Sequence, residues 1–142
     1  MNTRTHAIVL VVLLACVGVI LVITFWPTPV DRPFDAELSR IFWRLHHAYG
    51  VPGWVNYSLL ESGSNVIMFI PLGALIALYI MQPLWWVSGV LGLTLSLCIE
   101  LGQDVFLPHR FASAGDLAAN TAGALIGGGI VAIARRGERQ AS

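Results

Sequence analysis

Glu100, Gln103 and Asp104 close an otherwise apolar run, Leu84 to Leu107, that is long enough to cross a bilayer. A carboxylate there is expensive: Asp at the centre of a membrane helix costs roughly 2.5–3.5 kcal/mol on insertion scales. It persists where it faces other protein or a wet cavity, and it then marks a site for a head group, a proton or a cation. Asp116 and Asn120 stand at the head of the next apolar run, and Arg110 lies between the two runs. A guanidinium suits a phosphate or carboxylate, and the amides of Asn65, Gln103 and Asn120 suit the polar atoms around it. The expected ligand-binding set is therefore Asn65, Glu100, Gln103, Arg110, Asp116 and Asn120, with Glu100 and Asp116 as the acid/base candidates if chemistry occurs.

These residues need elements that bring them together. The chain has 142 residues, 56% hydrophobic and 11% charged, with a mean hydropathy of +0.75. Soluble domains carry about 25% charged residues, so this composition predicts an integral membrane protein. Zero net charge leaves no electrostatic footprint for nucleic acid. Cys16 and Cys98 both sit in apolar runs and are expected to be inert buried thiols.

Four spans are expected, at about 7–26, 64–82, 84–107 and 117–134, each close to the ~30 Å hydrocarbon thickness. The first run is too long for a signal-peptide core and ends in Phe25-Trp26-Pro27 without a small-residue cleavage pattern, so it is an uncleaved anchor. An even number of spans puts both termini on one side. Arg4, Arg135 and Arg136 lie close to span ends on that side, against Arg32 across the membrane, and place both termini in the cytoplasm. Asn65, Glu100, Gln103, Asp104, Arg110, Asp116 and Asn120 then share the level of the outer leaflet.

Between the first two spans, about 33–50, Phe34, Leu38, Ile41, Phe42, Leu45 and Tyr49 recur at helical spacing. Asp35, Glu37, Arg40, Arg44 and His47 fall largely opposite. This predicts an amphipathic helix in the membrane interface, with Trp43 at head-group level, ended by Gly50, Pro52 and Gly53. It either tethers a loop or covers the polar cluster as a lid. The fold class is all-α: four transmembrane helices and one interfacial helix in a single domain, 1–142.

Small and polar residues share helix faces. Gly89, Gly92, Ser96, Glu100 and Gln103 form one stripe, Asp116, Asn120, Gly123 and Gly127 a second, and Asn65, Phe69 and Gly73 a third, with Pro71 expected to loosen its helix. Packing these stripes together makes tight glycine contacts in the inner half and a polar pocket in the outer half. Plain structural roles exist for single members. Ser113 with Asp116 fits a capping box, Ser64 or Asn65 fits an N-cap, and Glu100 fits an ion pair with Arg110.

Three motifs carry a resemblance. Asn65-Val-Ile-Met-Phe69-Ile-Pro71-Leu-Gly73, then Ser96-Leu-Cys-Ile-Glu100-Leu-Gly-Gln103, then Arg110-x5-Asp116-x3-Asn120-x2-Gly123 occur in order over the last three spans. Together they resemble the VanZ-like family. The resemblance implies a small polytopic bacterial membrane protein of the cell envelope. The family's founding member is associated with low-level resistance to teicoplanin, a lipoglycopeptide that acts on wall precursors outside the membrane.

The function expected is recognition of a lipid or lipid-linked head group in the outer-leaflet pocket, by a protein of the bacterial cytoplasmic membrane. Its partners would be membrane lipids, a lipid-linked wall precursor or a lipoglycopeptide, and a second copy through the glycine-rich faces. One alternative is an intramembrane enzyme acting on a lipid head group with Glu100 as acid/base; no nucleophile elbow supports it. Another is a small proton- or ion-coupled transporter. None of His6, His46, His47 and His109 has a histidine partner four residues away, so neither a metal site nor a cofactor is expected.

Overall fold

The computed structural model describes residues 2–26, 35–80, 84–107 and 113–141. Five helices account for nearly all of them: α1 (Thr3–Thr24), α2 (Asp35–Tyr49), α3 (Tyr57–Ile80), α4 (Trp85–Phe106) and α5 (Ala114–Ala141). All but α2 are long and apolar enough to cross a membrane. Their outer surfaces are consistent with that setting. Ile8, Val11, Ile67, Leu101, Val105 and Ile133 are each more than 60% exposed, a density of bare apolar surface that lipid tolerates and water does not.

The termini of these helices follow local chemistry. Asn2 caps α1, its Oδ1 accepting the Thr5 N–H at 2.8 Å. Gly50 ends α2 with a positive φ of 65°, a conformation that suits a residue without Cβ, and Val51 N donates back to Leu45 O. Asn56 opens α3: its Oδ1 accepts from Leu59 N at 3.1 Å and its carbonyl from Leu60 N. The helix therefore begins well before Ser64, and neither Ser64 nor Asn65 is its cap. Ser64 instead turns its hydroxyl back onto Leu60 O, and Asn65 is free to point across the bundle. The segment from Tyr57 to Gly63 is too polar to register as part of an apolar run, so hydropathy hid it. Pro71 faces outward and α3 runs unbroken through it.

α5 is the centre of the bundle, packed most closely on α3 and then on α4, while α1 lies against the outer side of α3. Close approach explains the glycines. A Cβ at Gly123 would run into Val66 O, one at Gly127 into Ile70 O and Ala74 N, and one at Gly128 into Ser88 Oγ and Trp85 O. Gly89 and Gly92 receive Leu125 and Ala124 of α5 in the same way. The glycine faces are thus consumed inside one chain. Phe69, Leu72, Ile76, Ile99, Ala124 and Ile20 fill the core between these contacts.

The end of the bundle that carries the termini is fastened separately. Arg135 reaches from α5 to the last turn of α3, its guanidinium donating to Ala77 O at 3.2 Å and Leu78 O at 3.3 Å. A cation there satisfies terminal carbonyls and complements the helix dipole. His6 lies against Tyr79 with ring centroids 4.4 Å apart.

α2 leans on α3 through a narrower stripe than its sequence suggests. Leu38, Phe42 and Leu45 are half-buried, whereas Ile41 and Tyr49 are exposed. His46 Nε2 lies 2.9 Å from Val55 O and braces the following turn. Trp43 is exposed and stacks on His47. A groove of about 330 Å³, lined by Phe42, Val55, Leu59, Leu60 and Ile67, lies between α2 and α3, the helix that α2 packs on. The helix therefore does not cover the polar cluster, and the lid reading is set aside. Phe34 lies outside the described residues.

Cys98 is exposed on α4 and Cys16 is half-buried. Cys98 therefore faces the lipid side, contrary to the expectation of a thiol buried in protein.

Gly127→Ala is expected to destabilise the bundle by about 1–3 kcal/mol, because the new methyl meets backbone that cannot yield. Gly129→Ala, where nothing lies within 4 Å, is expected to be neutral or to stabilise by up to ~1 kcal/mol through helix propensity. Thermal unfolding in detergent compares the two.

Candidate functional site

Three hydrogen bonds tie the spans together at the end opposite the termini. Asn65 Nδ2 of α3 donates to Asp116 Oδ1 of α5 at 2.7 Å. Ser113 N, at the head of α5, donates to Glu100 Oε2 of α4 at 3.0 Å. Gln103 Nε2 of α4 donates to Thr24 O, the last carbonyl of α1, at 2.7 Å. One turn deeper, Asn120 Nδ2 of α5 donates to Ser96 Oγ of α4 at 2.9 Å. The chain thus brings Asn65, Glu100, Gln103, Asp116 and Asn120 to one end of the bundle.

Helical spacing explains the arrangement. Ser96 and Glu100 are one turn apart on α4, as are Asp116 and Asn120 on α5, so facing helices present two polar layers. Burial deepens inward: Asp116 and Asn65 are half-buried, while Glu100 is 6% and Asn120 5% exposed. Below them Phe69, Gly92 and Ala124 are buried and in contact range, so apolar packing closes the floor.

The expected capping box at Ser113 forms in one direction only. Ser113 O accepts from Asp116 N and Leu117 N at 3.1 Å, and the Ser113 hydroxyl lies 3.4 Å from Asp116 N. The return arm, in which a carboxylate takes the Ser113 N–H, comes from Glu100 on another helix. Asp116 is thereby released to accept from Asn65. A role usually filled within one turn is shared across three helices.

Asp104 does not join the cluster. It is exposed, one residue and about 100° beyond Gln103 on the same helix. Arg110 and His109 lie outside the described residues. Two partners were not legible as site members in the chain. Thr24 contributes only its carbonyl, which no side-chain pattern announces. Ser96 stands in a motif and in a stripe of small residues, but neither marks it as the acceptor for Asn120.

Each amide sends an N–H to a protein acceptor: Asn65 to Asp116, Gln103 to Thr24 O and Asn120 to Ser96. The atom left over is Asn120 Oδ1, which is fully enclosed and has no hydrogen-bond partner among the described residues. A buried acceptor without a donor costs about 1–3 kcal/mol, and such atoms concentrate where a ligand or water belongs.

A family model described as VanZ/LLP1 matches residues 9–135, a range that contains every residue of this cluster. No curated protein matches the chain, and no solved structure does.

Asn65→Leu is expected to destabilise the protein by about 1–2 kcal/mol by leaving Asp116 without its donor. Adding Asp116→Leu should recover part of that loss. A double-mutant cycle read by unfolding in detergent checks this; simple additivity would contradict a direct Asn65–Asp116 interaction.

Proposed function

The chain belongs to the VanZ/LLP1 family, and from that premise we propose that it is a cell-envelope membrane protein that binds the polar head group of a lipid or lipid-linked wall precursor. The observation that carries this reading is the buried, two-layered polar cluster of Glu100, Asn120, Ser96, Asn65 and Asp116, lodged between spans and sealed beneath by Phe69, Gly92 and Ala124. Such a cluster is costly within a membrane and is retained for what it contacts. Closure on one side leaves the other end of the bundle as the approach, and the same apolar packing disfavours conduction along the bundle axis.

The bundle sits in the bacterial cytoplasmic membrane with both termini inside. Arg4, Arg136 and Arg139 are exposed at the terminal end, and Arg135 is anchored there; positive residues favour the cytoplasmic side. The cluster then faces the outer leaflet, where wall precursors and lipoglycopeptides meet the membrane. Arg110, three residues ahead of Ser113 in sequence, is the guanidinium that the chain offers for a phosphate, and it lies outside the described residues. Engagement of a wall precursor by this site would alter glycopeptide access without any covalent step, which connects the reading to the resistance associated with the family's founding member.

The test is lipid retention. The purified full chain and its Glu100→Gln, Gln103→Ala and Asn65→Leu variants are isolated from membranes, and bound lipid is identified by native mass spectrometry. Wild type is expected to retain a defined lipid class, with graded loss across the variants, while Asp104→Asn, on the outward face, retains it fully. Identical lipid profiles in folded wild type and all four variants would overturn the proposal.

A further inference from the structure

The unpartnered oxygen of Asn120 narrows the kind of head group, an inference that rests on the head-group reading above. Asn120 is 5% exposed, its Nδ2 is held by Ser96 Oγ at 2.9 Å, and its Oδ1 has no hydrogen-bond partner among the described residues. The amide is therefore anchored on one side and unsatisfied on the other. Its neighbours on the same helical faces are also acceptors: Glu100 lies one turn above Ser96, and Asp116 one turn above Asn120. The amides nearby already direct an N–H to Asp116, Thr24 O and Ser96. Oxygen acceptors thus run from half-buried Asp116 to enclosed Asn120. The described parts of α1, α3, α4 and α5 carry no Lys or Arg at this end of the bundle.

We infer that the base of the cluster recognises a hydrogen-bond donor on the ligand, a hydroxyl or an ammonium, with Asn120 Oδ1 as its terminal acceptor, and discriminates against head groups that carry no donor. A donor there satisfies an atom that otherwise stays unmet. A head group without N–H or O–H leaves Asn120 as it was and adds acceptors to acceptors. The phosphate of such a lipid stays outside the ladder of oxygens.

The experiment uses three lipids with identical acyl chains. Phosphatidylglycerol offers hydroxyls, phosphatidylethanolamine an ammonium, and phosphatidylcholine no donor. The purified full chain is equilibrated with equimolar mixed micelles and retained lipid is measured by native mass spectrometry. Wild type is expected to retain phosphatidylglycerol, phosphatidylethanolamine or both about 5- to 100-fold over phosphatidylcholine, the range set by one buried polar group satisfied or not. Preference for one of the two donors tells hydroxyl from ammonium. Asn120→Asp, which keeps an oxygen at this position, should keep the preference, and Asn120→Leu should reduce it to near equality. Asn120→Leu removes the unmet acceptor but also the donor to buried Ser96 Oγ, so the melting comparison in lipid-free detergent uses the double variant Asn120→Leu/Ser96→Ala, which removes both partners and is expected to melt no lower than wild type. Should Asn120→Leu fail to fold, the wild-type comparison decides alone. Equal retention of all three lipids, the result for a site filled by water, overturns this inference and leaves the head-group reading standing. Retention of none overturns both.

Discussion

Gly123 and Gly127 let the backbone of α5 rest on Val66 O and Ile70 O of α3, while Gly128 does the same against Trp85 O of α4. In lipid, helices gain little from hiding apolar surface from one another, so association depends on close packing and on polar groups that meet across the interface. The glycine contacts supply the first condition and thereby set the second. With the helices this near, Asn65 reaches Asp116, Glu100 reaches Ser113, and Asn120 reaches Ser96. A wider separation would leave each of these groups facing hydrocarbon.

The two ends of the bundle meet the same constraint differently. At the terminal end, Arg135 donates to the open carbonyls Ala77 O and Leu78 O of α3 and His6 packs on Tyr79, and no buried side-chain atom of these residues lacks a hydrogen-bond partner. At the far end Asn65 bonds Asp116, Glu100 and Gln103 bond main-chain groups and Asn120 bonds Ser96, and Asn120 Oδ1 is the fully buried side-chain atom left without a partner among the described residues. The asymmetry is physical: one end is closed by its own hydrogen bonds, and the other retains an unmet acceptor beneath half-buried Asn65 and Asp116. A bundle built for stability alone would gain from apolar residues at both Asn120 and its partner Ser96.

Glu100 illustrates how a structural role and a functional one coexist. Its carboxylate completes the cap of α5 by taking the Ser113 N–H, so it positions the helix that carries Asp116 and Asn120. It also lies one turn above Ser96, on the wall that leads to Asn120. The capping signature Ser113–Asp116 was legible because such motifs are local. The substitution of Glu100 for the returning carboxylate was not, because it joins residues 13 apart on different helices.

Periodicity and hydropathy alone determined the class of this protein, its apolar spans and the small and polar faces of α3, α4 and α5. Those features depend on spacing along one helix, and spacing is written in the chain. Tertiary structure decided the partners. It turned Asp104 outward, set α2 beside α3 and away from the cluster, made Asn56 the cap of α3, and used the glycine faces within one chain. It also brought a main-chain carbonyl, Thr24 O, to Gln103 and left Asn120 Oδ1 without a donor. A helix face names which residues look the same way; only the crossing of helices in space determines which atoms meet and which is left over.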